Sequence, residues 1–175
     1  MANDDQKIHI IMTGGTIDSH WDGKKDTVIP NRHSIIPEFI RGLKLYQGFE
    51  FTEIAMKDSR DLTAEDRTKI LKTVEKSKSK KVIITHGTYT MTQTARFLKQ
   101  NLKRKDQTIV LSGSFSPLQG FTISDAPFSV GYALAKVEEL PPGVYVCMNG
   151  RSFTAEEAAK DIKKGKFYSM FENVK

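Results

Sequence analysis

Hydrophobic residues along the chain fall into two alternating kinds of segment. Short, β-branched runs occupy residues 8–12 (IHIIM), 49–56 (FEFTEIAM), 81–85 (KVIIT), 108–111 (TIVL) and 144–148 (VYVCM). Continuous runs of this length, bounded by turn residues, suit strands buried on both faces. Between them the apolar positions recur at helical spacing. Met91, Ala95, Leu98 and Leu102 fall on one helical face, and Ile70, Leu71 and Val74 do the same in the preceding helix. Thr63 followed by Asp66 is close to a capping box at the start of that helix. Pro127 suits a first helical position, with Phe128, Tyr132 and Ala135 along one face, and Asp125 reads as the cap. Ala155, Ala158, Ala159 and Ile162 mark a last short helix. Residues 18–32 (DSHWDGKKDTVIPNR) show no period and read as a mobile loop.

Strands alternating with amphipathic helices predict an α/β fold in three layers: a doubly wound, mostly parallel sheet with helices on both faces. The economical topology is the flavodoxin- or Rossmann-like one, with strand order 2-1-3-4-5. Ligands of such sheets bind outside the carboxyl ends of the strands. Residues 1–175 contain no repeat, low-complexity tract or boundary, so a single domain is expected.

Composition changes this picture little. No apolar run is long enough for a membrane span, and the polar start MANDDQK does not resemble a signal peptide, so a cytoplasmic protein is expected. Cys147 is the single cysteine, which excludes a disulfide framework and a thiolate metal cluster; its apolar strand suggests a buried, inert thiol. The formal charge of +6 is carried by lysine clusters without interleaved aromatics. Solvated faces explain them better than nucleic-acid binding does.

The polar residues at the strand ends carry the chemistry. Thr13-Gly14-Gly15-Thr16-Ile17 follows the first strand, and Thr85-His86-Gly87-Thr88-Tyr89-Thr90-Met91 follows the third. In each, glycine lets the backbone turn and approach closely, and a hydroxyl comes next. Lys57-Asp58-Ser59-Arg60-Asp61 and Ser112-Gly113-Ser114 end the second and fourth strands. Helix capping accounts for one or two such hydroxyls, but not for two Gly-Thr turns facing one crevice. His86 suits a structural role in its turn and His9 a packed place in the first strand. No second ligand sits at metal spacing, so neither a metal nor another cofactor is expected.

Together these segments resemble the asparaginase/glutaminase family with threonine nucleophiles. TGGTI at residues 13–17 and ITHGTYTM at residues 84–91 match its two signatures, the second with one exception. The likeness continues through LSGSFSP, SDAPF and Met148-Asn149. The resemblance implies Thr16 as nucleophile, Thr88 as the second essential threonine and Lys160 as the amine that activates Thr88. It implies Ser59 as the group holding the substrate carboxylate, with Arg60 beside it as a further substrate contact. Gly15, Gly87 and Tyr89 are expected to line the substrate, and backbone N–H groups near Gly15 and Thr88 suit an oxyanion hole.

Three departures bear on function. Tyr89 stands where the family has an aspartate, which binds the substrate ammonium and completes the threonine–lysine group; a tyrosine supplies no full negative charge. The 18–32 segment lacks the family's tyrosine, leaving His20 or Trp21 to cover the site. The family's C-terminal domain is expected to be absent, and with it the partner groups that complete amine recognition; a homodimer stays open. The expected function is hydrolysis of a small side-chain amide, with the substrate shifted away from a free α-amine. The alternative is a non-catalytic module that binds a small ligand or a protein on the same fold. A nucleic-acid binder rests on charge alone and is the weakest reading.

Overall fold

A computed structural model describes residues 7–120 and 123–172. In chain order the elements are β1 (Ile8–Gly14), β2 (Ser19–Asp22), β3 (Thr27–Pro30), α1 (Ile36–Gly42), β4 (Phe49–Lys57), α2 (Ala64–Lys76), β5 (Lys81–Thr85) and α3 (Met91–Asn101). They continue with β6 (Thr108–Ser112), α4 (Ala126–Glu139), β7 (Gly143–Met148), β8 (Arg151–Thr154), β9 (Ala158–Asp161) and β10 (Lys166–Ser169). The central sheet runs β4-β1-β5-β6-β7-β8. Its first five strands are parallel, in the expected order 2-1-3-4-5, and β8 adds an antiparallel edge.

Strand alternation builds the three layers. Ile8, Ile10, Met12, Ile83 and Val110 point to one face, where they pack with Ile36 and Ile40 of α1 and Val130, Ala133 and Val137 of α4. Ile11, Val82, Ile84, Ile109 and Leu111 point to the other, against Ile70 and Val74 of α2 and Met91, Ala95 and Leu98 of α3. One residue of register would exchange the two sets, so burial of both faces fixes the pairing. The capping box forms: Thr63 Oγ1 accepts from Asp66 N, and Asp66 Oδ2 accepts from Thr63 N. His9 packs inside, hydrogen-bonded to Ser77 Oγ and Thr52 Oγ1, both at 2.8 Å. Cys147 is buried, and that burial pushes its thiol up to about 11.

Four expectations are corrected. Residues 18–32 are not an irregular loop: β2 and β3 pair antiparallel, Ser19 opposite Pro30 and Asp22 opposite Thr27. A two-stranded ribbon that buries neither face has no need of a hydrophobic period, which is why none shows. The short helix through Ala155–Ile162 does not exist; β9 pairs there with β10, Ala158 opposite Ser169 and Asp161 opposite Lys166. Ala155 and Ala158 are buried because small side chains let this hairpin lie against the sheet core. Helix α4 turns Ala126, Val130, Ala133 and Val137 inward, while Phe128 and Ala135 are exposed. Asp125 makes no side-chain cap; its carboxylate accepts instead from Phe115 N at 2.9 Å and Ser116 N at 2.9 Å.

The ribbon is anchored at its base by Asp18, fully buried, which accepts from Ser34 Oγ at 2.7 Å and Ile35 N at 2.9 Å. Burial pushes this carboxyl up to about 6, against the pull of those two donors. The native state therefore keeps a proton that the unfolded chain releases above about 3.8. Stability is expected to fall as pH rises through the window between 3.8 and about 6, by about 3 kcal/mol in all. Urea unfolding at a series of pH values checks this; an Asp18→Asn chain should show a flatter profile over the same window.

Candidate active site

Three strand ends meet backbone to backbone. A Cβ on Gly14 would lie 2.5 Å from Lys57 N, one on Gly15 would lie 2.4 Å from both N and Cα of Gly87, and one on Gly87 would lie 2.8 Å from the Ser59 side chain. Gly15 also has φ 81°, which other residues adopt only under strain. The turns are tied as well as touching: Gly15 N donates to Lys57 O at 2.9 Å, and Thr13 Oγ1 donates to Thr85 O at 2.8 Å. Thr16 and Thr88 each follow one of the two contacting glycines. Thr16 opens a single 3₁₀ turn, Thr16–Asp18, and is partly exposed. Its hydroxyl has no hydrogen-bond partner among the described residues.

Thr88 is buried, and Lys160 Nζ donates to its Oγ1 at 2.7 Å. The fifth parallel strand, β7, lies two places from β5, yet the lysine arrives because the chain doubles back. Strand β8 returns antiparallel along β7, and β9 then crosses to α3, where Arg96 donates to Ala158 O at 2.6 Å. Asn149, at φ 54°, accepts from Phe167 N at 2.9 Å and fixes β10 behind β9. Lys160 is pushed below the usual lysine value, chiefly by burial and also by Arg60, with Asp58 acting the other way. Among the described residues no carboxylate lies within ion-pairing distance of its amine.

Aromatic rings surround that amine. Nζ of Lys160 lies 4.1 Å from the ring centre of Tyr89 and 5.3 Å from that of Phe115. The guanidinium carbon of Arg60 lies 4.8 Å from the Tyr89 ring. Arg60 is itself gripped by Asp58, with Nε to Oδ1 at 3.0 Å and a second nitrogen to Oδ2 at 2.9 Å. Asp58 Oδ1 also accepts from Arg60 N at 2.8 Å, so the carboxylate is fully engaged and held below its usual range. Ser59 is buried; its Oγ accepts from Thr90 N at 3.3 Å, and its carbonyl accepts from Thr90 Oγ1 at 2.7 Å.

His86 has no exposed surface, and both ring nitrogens are used. Nδ1 lies 2.8 Å from Gly87 O and Nε2 lies 2.9 Å from Thr94 Oγ1. A carbonyl only accepts, so Nδ1 carries the proton. Burial pushes this imidazole down to about 4, and it is neutral near pH 7. His20 sits on the exposed ribbon, bonded to Asn31 Oδ1 at 2.8 Å, and Trp21 beside it is about half exposed.

Thr88, Tyr89, Lys160, Ser59 and Arg60 are thus joined by contacts, and Gly15 and Gly87 by direct backbone contact. Sequence reasoning missed Phe115. It lies in the LSGSFSP segment, but nothing local marks its ring as facing a lysine forty-five residues downstream.

The Gly15–Gly87 contact can be measured. Gly15→Ala is expected to cost at least about 3 kcal/mol in urea unfolding, from overpacking and strain together. Gly165 also has positive φ (59°) but open space around it, so Gly165→Ala should cost only about 1 kcal/mol.

Comparison with known proteins agrees with this geometry. Residues 7–172 match the family model described as Asparaginase, N-terminal. The glutaminase-asparaginase of Acinetobacter glutaminasificans is 39% identical over 95 residues, which is 53% of this chain and 27% of that protein. Among solved structures, a probable cytoplasmic L-asparaginase from Campylobacter jejuni superposes with a TM-score of 0.77 at 26% identity, over 93% of this chain and 52% of that one. L-asparaginase I from Vibrio cholerae has the same fold, with a TM-score of 0.81 at 24% identity, over 94% and 51% of the respective chains. The chain spans about half the length of these solved relatives, and about a quarter of the curated relative is aligned. No helix among the described residues is long and apolar enough to cross a membrane. With nearly its whole length matched to that model, the chain belongs to the asparaginase family, as its N-terminal domain.

Proposed function

We propose that this protein is an amidohydrolase that cleaves a small side-chain amide, with Thr16 as nucleophile and the Thr88–Lys160 pair as its proton relay. The observation that carries the reading is the 2.7 Å hydrogen bond between Lys160 Nζ and Thr88 Oγ1, in a lysine that burial pushes below its usual value. A hydroxyl becomes a useful nucleophile only when a base takes its proton. In the first step Thr16 Oγ attacks the amide carbon, and its proton passes through Thr88 to the neutral Lys160 amine. The relay returns the proton to the departing nitrogen, the C–N bond breaks and ammonia leaves an acyl ester on Thr16. Water then attacks that ester, giving its proton to the same relay, which returns it to Thr16 Oγ as the ester C–O bond breaks and the acid is released. Gly15 N–H is taken by Lys57 O, so the backbone N–H groups of Thr16 and Thr88 receive the developing oxyanion, where a donor is worth about 3 kcal/mol.

Substrate choice follows from charge. Tyr89 puts a phenol where a carboxylate would be needed, and Asp58 is taken up by Arg60. An α-ammonium therefore finds no free carboxylate in this cluster, whereas the Ser59 hydroxyl and the Arg60 guanidinium suit a carboxylate. The substrate proposed is a monoamide of a short dicarboxylic acid without an α-amine.

Ammonia release tests this. Succinamate and glutaramate should exceed asparagine and glutamine in kcat/KM by at least about tenfold, the value of one charged hydrogen bond. Lys160→Met should lower kcat by about 10²- to 10⁴-fold. The rate should climb with pH as Lys160 loses its proton, with a midpoint below the ordinary lysine value. Undiminished turnover by Thr16→Val, or a preference for asparagine, contradicts the proposal. A protein that releases no ammonia but is thermally stabilised by succinamate is a binding module on this fold.

A further inference from the structure

We propose that the rings of Tyr89 and Phe115 form an aromatic clamp that positions the Lys160 amine on Thr88, in the place of an acidic partner. The inference rests on the proposed role of Thr88 and Lys160, but its geometry stands by itself. A lysine that reaches a buried hydroxyl ordinarily needs something to hold its charged end. Here no carboxylate is within ion-pairing distance among the described residues, and two ring faces lie at 4.1 Å and 5.3 Å from the nitrogen. Both are inside the range at which a ring quadrupole attracts an ammonium.

Each ring is itself held. The Tyr89 ring is about half exposed, and Arg60 stacks on it at 4.8 Å, with Asp58 gripping the guanidinium through two nitrogens. Phe115 is fixed from behind. Its backbone N–H and that of Ser116 donate to the Asp125 carboxylate, and its ring meets Phe167 at 6.5 Å. Phe167 in turn is the β10 residue paired with Lys160. The clamp is thus built from four separate parts of the chain: the turn after β4, the turn after β5, the turn after β6 and the β9–β10 hairpin.

The arrangement suits a base. A ring face attracts an ammonium more weakly than a carboxylate does, so it orients the amine with less stabilisation of its charged form. The charged groups acting on the amine are Asp58, which favours the ammonium, and Arg60, which opposes it. An acid at position 89 would add a second favouring charge, and the amine would keep its proton to higher pH.

Ring faces leave a spectroscopic mark that does not depend on turnover. In lysine-labelled protein, the ε-CH2 proton signal of Lys160, assigned by its loss in Lys160→Arg, is expected upfield of the other lysines. Tyr89→Phe should keep that displacement, and Tyr89→Leu should lose most of it. Phe115→Leu should lose a smaller part. Tyr89→Asp should lose the displacement and raise the titration midpoint of the same signal. A Lys160 signal within the main lysine group, or one unmoved by Tyr89→Leu in a folded protein, overturns the clamp. An upfield signal in a protein that hydrolyses no amide would refute the amidase and leave the clamp standing; an active protein with an unshifted signal would do the reverse.

Discussion

Gly15 and Gly87 touch through their backbones, and no side chain fits between them. This contact sets the distance between the turn after β1 and the turn after β5. It is reinforced on one side by Gly14 against Lys57 and on the other by Gly87 against Ser59. Everything chemical follows from it. The turns that carry Thr16 and Thr88, on neighbouring strand ends, are drawn together, and the turn of Ser59 after β4 is drawn in with them. The cost is a backbone with positive φ at Gly14 and Gly15, which glycine accepts and other residues do not.

The second constraint is electrostatic. Lys160 enters from a hairpin far along the chain and loses hydration as it does so. Its amine is met by a threonine oxygen and two rings rather than by an acid. Asp58 is close enough to act on Lys160, yet it is engaged with Arg60, and Arg60 lies on the same tyrosine that faces the lysine. The result is a cluster whose nearby acid is already paired with Arg60. A carboxylate-bearing substrate fits that balance, and an ammonium does not.

Much of this was legible in the sequence, for identifiable reasons. Continuous apolar runs separated by helical periods gave the layers, because both sheet faces are buried, and right-handed crossovers with short loops gave the strand order. The Gly-Gly-Thr and Gly-Thr turns announced themselves because close backbone approach demands glycine. What escaped reading had no local signature. The ribbon from Ser19 to Pro30 buries neither face, so its pairing left no period. The alanines at 155, 158 and 159 sit at helical spacing, but Ala155 and Ala158 are buried where the β9–β10 hairpin and the chain leading into it pack on the sheet core, and helix propensity gave way to that packing. Phe128 looked like part of a core stripe, yet it is exposed and stacks at 6.0 Å on Tyr132, which is partly buried against the core. The ring of Phe115 meets Lys160 only through the tertiary fold, so no spacing rule points to it. Asp125 was recognisable as a polar residue with a structural task, but its partners are the amides of another turn rather than those of its own helix.

The account stands most directly on which hydroxyl takes the acyl group. Brief reaction with the p-nitrophenyl monoester of a short dicarboxylic acid, followed by acid quench and peptide mass mapping, reads this out. A single acyl group on Thr16, absent from Thr16→Val and formed more slowly in Lys160→Met, is the predicted result. An acyl group carried by Thr88, or rapid hydrolysis that proceeds equally in Thr16→Val, would contradict it.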